Sequence, residues 1–223
     1  MSLAEEFAVR YAGLRQAYGT FTANNETRED GKASGKNITI SKELSDSDLL
    51  KLWEDHLSGH QSVGIVAIDE HNKCVWGAID VDEYQIDLKD LAVKIAKQEL
   101  PLVLCRSKSG GAHIYIFLTE SVPAAMLQRK LRQIAAAIGY GQVEIFPKQT
   151  KLLLDRGDRG STLNMPYFGG ENSTRYAYDK KGAAMTPEEF LNYAKEIELT
   201  PNELEKLEAS PLNETMDWLD QAP

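Results

Sequence analysis

Residues 74–84 read CVWGAIDVDEY. An apolar, strand-like run ends here on two aspartates one residue apart, Asp80 and Asp82. Successive strand side chains point to opposite faces, so residues two apart share one. Both carboxylates therefore lie on the same side of the strand. With no counter-charge they repel, whereas a divalent cation between them turns that cost into binding. A polar strand end running into a turn explains the same pair equally well, and two acids alone are a weak signal.

The chain that follows alternates in an ordered way. Leu88, Leu91 and Ile95 repeat at helical spacing over 87–98, and 100–106 is an apolar strand. Residues 107–111 are a turn, 112–118 a strand, 123–138 a helix ended by Gly139, and 142–146 a short strand. The order strand, helix, strand, strand, helix, strand is that of the ferredoxin-like β-α-β-β-α-β unit shared with RNA-recognition modules. The expected fold class is therefore α+β: this RRM-like core, with an extra N-terminal strand and appended helices.

In such a sheet the central first and third strands run antiparallel. The end of the first then lies beside the starts of the third and fourth, which brings Asp80 and Asp82 to His113 and Glu144. Alternation predicts one face carrying Trp76, Asp80, Asp82, His113, Tyr115, Phe117, Glu144 and Phe146. The other face carries Val75, Ile79, Val81, Ile114, Ile116, Leu118, Val143 and Ile145, an apolar set suited to lie under the two helices. The polar cluster is thus expected on an uncovered face. Residues 63–68 (VGIVAI), a turn and the opening stretch read as a hairpin. That hairpin competes with the fourth strand for one edge of the first, and an intervening strand would move Glu144 out by roughly 5 Å.

Upstream, Ser2 with Glu5 predicts a capping box and an amphipathic helix from 2 to about 17, with Phe7, Tyr11, Leu14 and Tyr18 along one face. Residues 22–37 read as a long polar loop carrying Lys32 and Lys36, and 45–57 as a helix ended by Gly59. Downstream, residues 152–170 read as a strand and loop returning across the site, with Arg156 and Arg159 either template contacts or solvated. RYAYD (175–179) reads as a short strand, and Thr186-Pro187 and Thr200-Pro201 as helix starts. The expected organisation is an N-terminal helical and loop region (1–60), a catalytic core (61–180) and a C-terminal helical appendage (181–223).

Composition narrows the function. A net charge of −9 argues against a broad basic surface that coats duplex nucleic acid, although a local groove remains open, with Arg106, Lys108, Lys148, Lys151, Arg156 and Arg159 falling in the middle of the chain. No apolar run approaches the roughly 20 residues of a membrane span, and the N-terminus lacks signal-peptide features, so a cytoplasmic location with no membrane partner is expected. The two cysteines, Cys74 and Cys105, lie in strand-like runs and read as buried thiols rather than zinc ligands. An oxygen-rich set of Asp80, Asp82 and Glu144 suits Mg²⁺ or Mn²⁺. Two such ions about 4 Å apart support phosphoryl transfer. The turn RSKSGGAH offers glycines, hydroxyls, Lys108 and a histidine at its rim, which a triphosphate needs.

AIDVDEY, CRSKSGGAHIYIF and VEIFPKQ, in that order, resemble the three motifs of the archaeo-eukaryotic primase superfamily. The nearer likeness is to its primase-polymerase branch in phages, mobile elements and bacterial conflict systems (TOTE-like). There HLSGHQSVGIVAI and TLNMPYFGG also have counterparts. The resemblance implies a nucleotidyltransferase, a DNA primase or polymerase, acting with nucleoside triphosphates on a single-stranded DNA template and primer. It further implies two Mg²⁺ or Mn²⁺ ions and, in the same system, a helicase partner. Asp80, Asp82 and Glu144 would be catalytic metal ligands. Lys108, Ser109, Gly110 and His113 would grip the phosphates, with Arg106, Lys148 and Asn164 as further substrate contacts. The family's second motif is often Ser-x-His, and Gly111 stands at that serine position here. The chain's end at Pro223 fits a stand-alone small enzyme or a catalytic fragment, and Tyr84 is a sugar-gate candidate by position. Two other readings share these residues. One is a non-catalytic RRM-like module stacking bases on Trp76, Tyr115 and Phe117. The other is a two-metal nuclease.

Overall fold

Two four-stranded antiparallel sheets, one of them flanked by helices, position everything that follows. The computed structural model describes residues 1–27, 33–83 and 85–211; Lys32 and Tyr84 lie outside the described residues. Its elements in order are α1 (Leu3–Arg10), β1 (Ala17–Thr27), β2 (Ala33–Ser41), α2 (Asp46–Leu57), β3 (Val63–Val66), β4 (Lys73–Val81), α3 (Leu88–Lys97) and β5 (Val103–Arg106). Then come β6 (Ala112–Pro123), α4 (Ala124–Ala137), β7 (Glu144–Phe146), β8 (Thr162–Asn164), α5 (Pro187–Glu196) and α6 (Pro201–Lys206).

The core sheet has the order β5-β6-β4-β7. Numbered within the β-α-β-β-α-β unit this is 2-3-1-4, the arrangement expected for the ferredoxin-like fold. Helices α3 and α4 cover one face of it. Leu88, Leu91, Ile95, Leu127, Leu131 and Ile134 pack there on Ile79, Val81, Leu104, Ile114, Ile116 and Ile145. Capping by side chains starts the flanking helices where the sequence signals placed them: Ser2, Ser45, Thr186 and Thr200 close capping boxes, and Asp87 accepts from Lys89 and Asp90 N–H.

Five expectations change. The face carrying Trp76, Tyr115, Phe117 and Phe146 is not uncovered: these rings are 0–3% exposed. They lie in a second apolar cluster with Phe7 and Tyr11, Trp53 of α2, Ile65 of β3, Leu163 of β8, and Phe190 of α5. Buried rings cannot stack bases, which removes the RRM-like binding reading. Of the expected loop 22–37, residues 22–27 and 33–37 are strand, parts of β1 and β2, which pair in register from Ala17 opposite Ser41 to Thr27 opposite Ala33. Strand pairing overrode the low β-propensity of Asn, Gly and Lys there.

Helix α1 also ends earlier than expected, at Arg10. The chain then turns to dock Leu14 N–H on the Val66 carbonyl (3.0 Å). At Gly13 a Cβ would come within 2.1 Å of that carbonyl, so the approach requires glycine. Finally, the segments around the 69–73 turn do not pair as a hairpin. Asp69 closes the turn, with its N–H bonded to the Lys73 carbonyl at 2.8 Å, and the two strands then diverge. β3 joins β1 and β8 in the second sheet, order β2-β1-β3-β8, while β4 keeps β6 and β7. The competition for the β4 edge is thereby settled in favour of β7. A register shift between Cys74 and Trp76 also moves Val75 from the helix-covered side to the aromatic cluster.

Cys74 and Cys105 are buried and free, and burial pushes both thiols above their ordinary pKa. No helix among the described residues is long and apolar enough to cross a membrane.

Candidate active site

Strand register brings the sequence-predicted acids together at one sheet edge. Asp80 on β4 is directly opposite His113 on β6 and directly opposite Glu144 on β7, so the three sit side by side across adjacent strands. Asp82 follows just past the end of β4 on the same face.

Local contacts define each group's state. His113 Nε2 lies 3.4 Å from Asp80 Oδ1, and both side chains are nearly buried, 9% and 12% exposed. The Asp80 Oδ1 atom itself is buried and has no hydrogen-bond partner among the described residues. On its other side the His113 ring is held by Nδ1, 3.1 Å from the buried Tyr115 hydroxyl. Glu144, more exposed, is ion-paired with Lys148, whose ammonium also lies 5.0 Å from the Phe146 ring centre. Asp82 has its pKa raised, first by partial burial and then by the nearby Asp80 charge. Glu144 adds to the rise, while His113 and Lys148 oppose it.

All three acids offer carboxylate oxygen, the donor chemistry of a hard divalent cation, and Asp80 Oδ1, which makes no hydrogen bond among the described residues, fits a cation ligand. As the side chains stand, no group of three His, Cys, Asp or Glu among the described residues is arranged to hold an ion. Asp80 is turned to His113 and Glu144 to Lys148.

The turn 107–111 closes by two backbone bonds, Ser107 N–H to the Gly111 carbonyl (2.8 Å) and Gly110 N–H to the Ser107 carbonyl (3.2 Å). Gly110 has φ +102°. At Gly111 a Cβ would lie 2.1 Å from the Val81 carbonyl oxygen, which accounts for glycine at the position where serine was anticipated. Ser109 Oγ is 3.3 Å from Ser107 Oγ.

The remaining candidates separate. Lys108 lies over the Phe21 ring of β1, on the second sheet. Arg106 donates to the Thr174 carbonyl (3.2 Å) and passes beside Gly110. Asn164 is opposite Gly64 in the second sheet, away from the row of acids. Arg159 donates to the carbonyls of Leu154 and Asp158, so it shapes its own loop.

The sequence model of the TOTE conflict system archaeo-eukaryotic primase domain matches residues 5–198. The chain belongs to this primase family. In the primase domain the matched span includes both sheets as well as the β-α-β-β-α-β core, so the β1–β2 hairpin and α5 are part of the family unit. Among curated proteins, none matches the chain.

Sequence reasoning missed two residues of this region. Tyr115, read there as a stacking ring, instead orients His113. Arg175 is 8% exposed and its Nη1 has no hydrogen-bond partner among the described residues. Residues 176–178 run along the β5 edge, with Arg106 N–H on the Tyr176 carbonyl and Tyr178 N–H on the Leu104 carbonyl, both 2.9 Å. Alternation in RYAYD puts Arg175 on the same side as the fully buried Ala177, a faint signal that this arginine points inward.

Proposed function

We propose that this primase domain is a metal-dependent nucleotidyltransferase that joins nucleoside triphosphates on a single-stranded DNA template. The observation that supports it most is the register placing His113, Asp80 and Glu144 across β6, β4 and β7, with Asp82 at the strand end. Asp80, Asp82 and Glu144 would hold two Mg²⁺ or Mn²⁺ ions. When bound, such ions activate the attacking oxygen and stabilise the leaving one.

The chain's own groups do the rest. Lys148 neutralises Glu144 until it is exchanged for the ions, which limits repulsion among three acids at one edge. The contact between the Tyr115 hydroxyl and Nδ1 holds the His113 ring so that its Nε2 edge, beside Asp80, would meet a phosphate oxygen. Ser109 and the backbone of the glycine turn add further donors for phosphates.

The test is extension of a primed single-stranded template with deoxy- or ribonucleotides and Mg²⁺ or Mn²⁺. Wild type is expected to extend, and Asp80→Ala/Asp82→Ala to be inactive with its melting temperature retained. Equal extension by the double variant, or none by folded wild type with either metal, overturns the proposal.

A further inference from the structure

A strand at a sheet edge offers a row of unpaired N–H and C=O groups to any other chain that can meet them. Most edges of this molecule are short or covered. β7 and β8 are each three residues long, and residues 176–178 run along the β5 edge. β2 differs: it is nine residues long and pairs only with β1 among the described residues.

Register decides what this edge presents. β1 and β2 pair without a shift from Ala17 opposite Ser41 to Ala23 opposite Gly35. One step beyond, Lys42 N–H bonds the Gln16 carbonyl (3.1 Å), so the Lys42 backbone faces β1. Antiparallel ladders alternate hydrogen-bonded and non-hydrogen-bonded positions. Ile40 and Ile38 therefore also direct their backbone groups to β1, while Gly35, Asn37, Thr39 and Ser41 turn theirs outward. The stretch 35–41 contains no proline and no bulge, two devices that blunt an edge. At its middle stands Ile38, an apolar residue 45% exposed.

This stretch is complementary to itself. With two copies antiparallel and centred on Ile38, Asn37 meets Thr39 and Gly35 meets Ser41, all of them residues whose backbone groups face outward. Ile38 then meets its own counterpart at a non-hydrogen-bonded position, where side chains come closest. Lys36 falls opposite Ile40, so like charges are kept apart. Moving the centre to Lys36 would set lysine on lysine, and moving it to Ile40 would carry half of the edge past the end of β2 at Ser41. The reciprocity, residue i on j and j on i, is what a two-fold interface requires.

We infer that the outer edge of β2 is a homodimer interface, in which two copies of this chain pair antiparallel over residues 35–41 about Ile38 and join their second sheets into one. The inference does not rest on the function proposed above, because β2 contributes nothing to the row of acids.

Strand pairing alone makes a small interface, so a dissociation constant of about 1–100 μM is expected. Sedimentation velocity over protein concentrations up to roughly 500 μM reads it. Thr39→Pro removes an outward N–H that β1 does not use; it is expected to weaken the dimer at least tenfold while melting within about 2 °C of wild type. Ile38→Lys sets like charges on the axis and is expected to weaken it at least tenfold, and it carries the test if Thr39→Pro fails to fold. Under mild oxidation Ile38→Cys is expected to form a disulfide-linked dimer, whereas Ile40→Cys, opposite position 36 of the second copy, is not. The native Cys74 and Cys105 are buried and add no background. A wild type that stays monomeric throughout the range overturns the inference. So does a dimer that the edge variants leave intact, or one that cross-links at position 40 rather than 38.

Discussion

Gly111 offers a sharp test of how the site edge is built. The segment Ser109-Gly110-Gly111 looks like a phosphate-binding turn, in which glycines serve ligand approach. In the structure Gly111 has a different role. Its Cα is packed so closely on β4 that a Cβ would meet the Val81 carbonyl oxygen at 2.1 Å and the Asp82 Cα at 3.4 Å. The obstacle is backbone on the neighbouring strand, so no side-chain rotation relieves it. Gly111→Ala must push β6 from β4 where His113 faces Asp80.

Overpacking of this kind costs about 3 kcal/mol. For a chain of this size that corresponds to a melting temperature lower by roughly 6–12 °C. Gly110 is the control. It has φ +102° and its nearest neighbour to a Cβ is the flexible end of Arg106, with Nη2 at 3.5 Å, so Gly110→Ala carries a conformational penalty alone. That penalty is about 1 kcal/mol, or roughly 2–4 °C. Thermal unfolding followed by circular dichroism reads both. A Gly111→Ala protein melting within about 2 °C of wild type, or no lower than Gly110→Ala, refutes the close approach.

Two further predictions concern the scaffold. His56 is fully buried; its Nδ1 accepts the Val63 N–H (2.9 Å), its Nε2 donates to the Pro166 carbonyl (2.8 Å), and burial holds its pKa down at about 4. Between the unfolded value of 6.5 and about 4 the unfolded chain binds a proton the folded one does not, so stability falls as pH drops through that window. At pH 4.5 the loss is about 2–3 kcal/mol relative to pH 7. Urea denaturation of wild type and His56→Gln at both pH values checks it, and an equal pH response of the two proteins counts against it. Thr186→Ala removes the side chain that accepts from Glu189 N–H (3.2 Å) at the start of α5. The expected cost is about 1 kcal/mol, seen as a drop of roughly 2–4 °C in melting temperature; no change would mean that packing of Phe190 alone holds the helix.

Much of the site was legible because it depends on a period of two. Alternation placed Asp80, Asp82, His113 and Glu144 on one face, and the order of elements placed them at one edge; the register pairs Asp80 with His113 on one side and with Glu144 on the other. Helix starts at Ser45, Asp87, Thr186 and Thr200 were equally readable, since a cap is a bond between residues two or three apart. The N-terminal hairpin was not readable. Its polar, glycine-containing residues have loop composition, and they form strands because β1 finds partners in both β2 and β3. Arg175 was only faintly legible for a related reason: the cover supplied by other elements is what turns this arginine into a buried cation.

Sequence by itself thus determined what local chemistry controls: the kind and order of elements in the core, the shared face of the acids, and the family motifs. Tertiary structure decided which strand took the second edge of β4. It also decided that the aromatic face is roofed by the second sheet, α1, α2 and α5, and that β2 is left at an outer edge. The division has a physical cause. A side chain's direction along a strand follows from the backbone geometry of its neighbours, whereas the pairing of two strand edges and the burial of a face are won in competition among segments far apart in the chain.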